Sequence, residues 1–240
     1  MIEAFFWGAV GAAALLVGAL IAYAATPSPK FIAVVMALGA GLLIGSVSFE
    51  LIDEAVKTSD VAPVGLFTLA GAVAFTIGAW RLEQRGGGDR KDSQGAQASG
   101  APLAIVFGSV LDGIPESFVL GLTVLQGGVS VALLVGVVLS NLPEGLSSSS
   151  GLRIAGWPRG RVVRMWLIVM AVSAASAALG YALLDPTHGR TGAFAQGFAA
   201  GALLAMITDT MLPEAYEVEG LATGSLVAIG FAVSLILSAT

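Results

Sequence analysis

Over its 240 residues the chain is 56% hydrophobic and only 11% charged, with a formal net charge of −5 and a mean hydropathy of +0.90. A soluble domain carries about 25% charged residues, so this composition excludes one and indicates a polytopic membrane protein with no room for a separate soluble domain. Cysteine is absent, which removes disulfides, thiolate metal ligands and cysteine nucleophiles from consideration.

Eight apolar windows are long enough to span a bilayer at about 1.5 Å per helical residue. The first, 4–25, lacks a basic leader region and is too long for a signal peptide. Despite the small-residue string AYAA at 22–25 it reads as a retained helix. The second, 31–52, carries Glu50, with Asp53 and Glu54 at its end. The third, 63–81, is followed by a polar low-complexity stretch, EQRGGGDRKDSQGAQASG, read as a flexible linker within a cytoplasmic loop at 82–100. Its GGGD string imitates an intramembrane protease motif, but it lies in a polar loop with no partner aspartate motif. The remaining windows are 101–125, 129–150, 162–184, 191–212 and 221–239, so residues 1–240 form one transmembrane domain.

Lysine and arginine placement orients the chain. With the N-terminus outside, the inner loops hold Lys30, Arg81, Arg85, Arg90, Lys91, Arg153, Arg159, Arg161 and Arg164, and the outer loops hold only Lys57 and Arg190. Both termini are therefore expected outside, with Trp80 and Trp157 at the inner interface.

AGLLIGSVSFELIDEA (40–55) aligns with AGALLAMITDTMLPEA (200–215) at an offset of 160. Window two runs outward and window seven inward, so the match predicts inverted repeats, helices 1–3 and 6–8, with helices 4 and 5 between them. The expected fold is an all-α integral membrane protein of eight transmembrane helices in a 3+2+3 arrangement.

Windows four and five hold the chemistry. LDGIPESF (111–118) returns as LSNLPEGL (139–146), each placing a proline before a glutamate inside an apolar run. A carboxylate at the bilayer centre costs on the order of 3 kcal/mol or more and so implies a function. Each proline frees the carbonyl four residues earlier, Leu111 and Leu139, and predicts a bend or interruption there. Asp112 and Glu116 share a helix face, as do Ser140, Asn141 and Glu144, with Ser147 and Ser148 continuing the second. Carboxylate, amide, hydroxyl and freed-carbonyl oxygens converging from two helices suit a dehydrated cation; the serines and Asn141 would serve equally to join helices. Glu50, Asp53 and Glu54 at one mouth, and Asp209 and Glu214 at the other, with Glu217 and Glu219 beyond, read as an entrance and an exit that concentrate cations, or as ordinary solvated helix ends. His188 beside Arg190 reads as solvated.

On these motifs the chain resembles the ZIP family of divalent-metal transporters over essentially its full length. The resemblance implies eight spans, an outward N-terminus, a variable inner loop after span three and metal ligands on spans four and five. The family's span-four pattern, His-Asn-x-Pro-Glu-Gly, falls on Asp112, Gly113, Pro115, Glu116 and Ser117, and its span-five pattern on Ser140, Asn141, Pro143 and Glu144. The family's Leu-Pro-Glu-Ala ending of span seven is present at 212–215. Both motif histidines are missing here, and MWLIVMAVSAASAALG carries no counterpart of the span-six glutamate that helps hold a second metal in some members. The expectation is therefore one metal, bound through Asp112, Glu116, Ser140, Asn141 and Glu144.

An oxygen-only donor set favours harder ions such as manganese or ferrous iron, with zinc accessible through carboxylates, cadmium competing, and magnesium competing least because it dehydrates reluctantly. The metal is cargo, and no cofactor is expected. Partners are the lipid bilayer and, given the small-residue helix faces, a second copy in a homodimer; no nucleic acid is expected. The localisation expected is the plasma membrane. Two rival readings are a carrier of the same fold moving a non-metal substrate, and a membrane enzyme using Asp112 and Glu116 as acid and base. The enzyme reading is disfavoured because the chain has neither a nucleophile nor a phosphate-binding motif.

Overall fold

A computed structural model describes residues 1–25, 27–84, 102–125, 127–183 and 189–239, and these residues are helical apart from short connections. Helix α1 spans Ile2–Ala24. Helix α2 starts at Pro29, where Ser28 accepts a capping bond from the Phe31 amide and proline needs no donor. It runs to Ser46, passes through a π-helical stretch at Val47–Ile52 and ends as α-helix at Asp53–Thr58. Helices α3 (Val61–Leu82), α4 (Pro102–Leu125), α5 (Val131–Ile154) and α6 (Arg159–Leu183) follow. Helix α7 is built like α2: Gly189–Met206, a π-helical stretch at Ile207–Met211, then Leu212–Glu219. Helix α8 is Ala222–Leu237.

Seven of these helices are long and apolar enough to cross a membrane, so the chain is a multi-pass membrane protein. The eighth is shorter than its sequence window suggests: its 16 residues reach only about 24 Å, because the helix stops at Ser238. Helices α2 and α7 are longer than expected. The acids read as their ends lie within continuous helix that extends to Thr58 and Glu219.

The prolines do not interrupt their helices. Both α4 and α5 run as continuous helix through Pro115 and Pro143. A single proline removes one donor, and neighbouring helices can compensate. Gly39 of α2 lies against the Leu139 carbonyl, where an added Cβ would come within 2.9 Å of the oxygen. On α4, Ser176 of α6 donates to the Ile114 carbonyl at 3.0 Å. The irregular turns fall instead on α2 and α7, at positions 47 and 207, which are 160 residues apart. In α7 the widened turn leads into Pro213, which cannot donate to the Asp209 carbonyl.

Packing pairs α1 with α5 and α4 with α6, and likewise α2 with α8 and α3 with α7; α1 also packs along α6. Helices α2 and α7 are antiparallel, since Leu212–Glu219 packs on the first part of α2 while Asp53–Thr58 packs on Gly189–Met206. Glycine sets each close approach. A Cβ on Gly18 or Gly145 would strike the backbone of the other helix in the α1–α5 pair, and Gly121 and Gly180 do the same for α4–α6. Gly41 and Gly230 do so between α2 and α8, and Gly71 and Gly201 between α3 and α7. Lipid is as apolar as leucine, so helices associate in a membrane by close van der Waals contact, which small residues permit. Helix α3 turns most of its surface outward, only 17% of its apolar window being buried, and presents Leu66, Leu69, Val73 and Ile77 to the surroundings.

Candidate functional site

In this apolar bundle the five residues of the paired motifs are all buried. On α4, Asp112 is 3% exposed and Glu116 1%; on α5, Ser140 is 5% exposed, Asn141 4% and Glu144 4%. Spacings of three and four keep each set on one face of its helix.

The two helices meet through a residue that sequence reasoning missed. Ser109, one turn before Asp112, donates a 2.6 Å hydrogen bond to Glu144 Oε1. Its i, i+3 relation to Asp112 was the available signal, but a serine in a membrane helix is too common to stand out. The bond fixes a carboxylate oxygen of α5 against α4, although α5 packs mainly against α1 and α4 mainly against α6, with little packing between α4 and α5 themselves. Helix α1 spans both, with Gly11 lying between Leu120 and Val137. The Asn141 amide donates to the Gly11 carbonyl at 3.2 Å. An amide anchored through its nitrogen can offer a cation its oxygen.

Ser140 faces a third element. Its hydroxyl donates to the thioether sulphur of Met211 at 3.5 Å, at the end of the π-turn of α7. Helix α6 brings serines where the sequence offered no acid. An added Cβ on Gly113 would lie 3.0 Å from Ser173 Oγ, and Ser176 bonds to the neighbouring Ile114 carbonyl. Beyond Glu144, Ser147 and Ser148 are buried, and Ser149 accepts a 2.8 Å bond from the Trp166 indole.

Among the described residues, no three His, Cys, Asp or Glu side chains stand close enough together to form a metal cage. The donors present are an acid pair from α4, with acid, amide and hydroxyl from α5. A full shell around one ion therefore needs neutral oxygens as well as carboxylates, or a small approach of the two helices.

The acids proposed for the two mouths divide into two kinds. Glu50 and Asp209 lie in the π-turns of α2 and α7. Each accepts a hydroxyl bond from the outer helix packed beside it: Ser238 Oγ to Glu50 at 3.0 Å, and Thr76 Oγ1 to Asp209 at 3.3 Å. Asp53 and Glu54 instead form exposed ion pairs with Lys57, at 2.6 Å and 3.6 Å. Glu214 is partly buried in the last segment of α7. His188 and most of the linker, 85–100, lie outside the described residues. Between α5 and α6, Arg161 stacks over the Trp157 ring at 3.8 Å, and the Tyr23 hydroxyl donates to the Trp157 carbonyl at 2.7 Å.

No family model matches the chain. It is 27% identical over 209 residues to a protein of Arabidopsis thaliana named "Putative zinc transporter", an alignment covering 86% of this chain and 33% of the relative. The chain thus spans about a third of the length of the curated relative it matches. That likeness agrees with the resemblance to metal transporters carried by the paired proline motifs.

Proposed function

We propose that this protein carries a divalent metal cation across a membrane through one principal site between α4 and α5. The observation that carries this reading is the burial of Asp112, Glu116 and Glu144, each no more than 4% exposed within an apolar bundle. Each carboxylate costs on the order of 3 kcal/mol or more in that setting, and a passing cation offsets the cost by accepting their charge. Asn141 and Ser140 complete the shell. The likeness to a protein named for zinc transport supports a metal of the zinc, manganese or iron class as substrate.

The 3+2+3 arrangement, with inverted repeats around α4 and α5, is part of the proposal. It is supported by π-turns 160 residues apart on antiparallel helices and by the matched packing of α1–α5 with α4–α6 and of α2–α8 with α3–α7. Transport proceeds by one bundle rocking against the other around the site. Glu50 and Asp209 line the two approaches, with Asp53, Glu54 and Glu214 near them. The termini face outward, the membrane is the plasma membrane, and the chain acts as a carrier rather than an enzyme, as a homodimer.

Metal uptake by the purified protein in reconstituted vesicles tests the reading. Uptake that depends on Glu116 and Glu144 supports it, and no metal flux at all refutes it. The lack of a three-acid cage among the described residues is the observation that favours a non-metal substrate. Competition between divalent metals and organic cations in the same vesicles separates the two.

A further inference from the structure

Met211 closes the π-turn of α7, where it is 3% exposed, and its sulphur accepts the Ser140 hydroxyl at 3.5 Å. Ser140 stands one turn before Glu144 and next to Asn141, so the sulphur borders the metal-binding face of α5. A π-turn adds one residue to the helix, and one residue is about 100° of rotation. The widened turn at Ile207–Met211 therefore sets which way this side chain points, and such turns occur frequently at functional sites.

The separation suits a shared ion. A zinc-class ion holding an oxygen at about 2.1 Å and a sulphur at about 2.3 Å, the thiolate length that a neutral thioether somewhat exceeds, places them about 3.1 Å apart at a right angle and about 3.6 Å apart at the tetrahedral angle. The 3.5 Å between Ser140 Oγ and Met211 Sδ falls within that interval. On binding, the Ser140 hydroxyl turns its hydrogen away and presents a lone pair, which also releases the sulphur lone pair.

We propose that Met211 is a thioether ligand of the transported ion, an inference that rests on the metal-carrier reading of the α4–α5 site. The donor set is then not all oxygen, and the site prefers the softer divalent ions, cadmium and then zinc, over manganese.

The test is cadmium-edge X-ray absorption on the purified full chain loaded with Cd²⁺. The chain has no cysteine, so any sulphur neighbour of the ion is a methionine. The expected result is one sulphur beside several oxygens, with the sulphur lost and the oxygens kept in Met211→Leu. Selenomethionine-labelled wild type should show selenium in place of that sulphur, a readout that needs no variant to fold. In vesicles, Met211→Leu should lower the preference for cadmium over manganese by about tenfold, the lower end of what one supporting group contributes to a metal site. An oxygen-only shell in wild type, or a sulphur that persists in Met211→Leu, overturns the thioether ligand and leaves the carboxylate site standing. Wild type that binds no cadmium, manganese or zinc overturns the metal site itself, and this ligand with it.

Discussion

Ser109 of α4 and Glu144 of α5 are joined by a 2.6 Å hydrogen bond between two helices that otherwise pack chiefly against others, α4 against α6 and α5 against α1. The bond orients the Glu144 carboxyl, a proposed ligand, relative to the helix that carries Asp112 and Glu116.

Ser109→Ala should therefore weaken metal uptake through KM more than through maximal rate. A hydrogen bond to a charged group is worth about 1.5–3 kcal/mol, so a rise in KM of about tenfold or more is expected. Ser109→Thr keeps the hydroxyl and should restore most of the affinity. Uptake by Ser109→Ala indistinguishable from wild type would show that the bond does not orient a ligand.

Glu116→Gln and Glu144→Gln should each nearly abolish uptake while leaving the fold intact. Glutamine keeps the volume, and at 144 it can still accept from Ser109, so chiefly the charge is lost; relief of the burial cost should leave stability equal or higher. Uptake in vesicles and thermal unfolding in detergent separate the two effects. Uptake within twofold of wild type for both variants would remove them from the site.

Gly41→Val should destabilise the α2–α8 pair, because a side chain there meets the Val227 carbonyl backbone. Forced overpacking costs about 1–3 kcal/mol and more where backbone must move. Gly65→Ala, with nothing within 4 Å of the added Cβ, is the matched control and should melt like wild type. Equal melting temperatures for the two variants would show that close approach at Gly41 is dispensable.

Thr76→Val and Ser238→Ala each remove a hydroxyl that bonds an acid in a π-turn, at Asp209 and Glu50 respectively. Glu50 is half-buried and Asp209 exposed, unlike the buried motif acids, so if they serve the approaches, ion binding at equilibrium should be unchanged, while the maximal transport rate shifts by a few-fold at most because these bonds are exposed. Calorimetric metal binding against vesicle flux checks this. A changed binding constant with an unchanged rate would place these acids in the binding site instead of on its approaches.

The sequence by itself determined the membrane class, the approximate helix count and the five polar residues of α4 and α5 that prove to be buried. Each rests on a large local signal: hydrocarbon accepts only long apolar helices, and it makes every intramembrane acid conspicuous. The offset of 160 also marked where two irregular turns occur, although nothing in VSFELI or ITDTM announces a π-turn.

Tertiary structure alone decided what touches those residues. Proline spacing suggested a bend or interruption at Leu111 and Leu139, yet neither helix is interrupted, since whether a freed carbonyl becomes a break depends on neighbours distant in sequence, such as Gly39 against the Leu139 carbonyl. Ser109 and Met211 acquire meaning only through partners on other helices, 35 and 71 residues away. A serine or methionine in an apolar run carries no cost large enough to reveal its role, so only the packing that brings it against Glu144 or Ser140 gives it one.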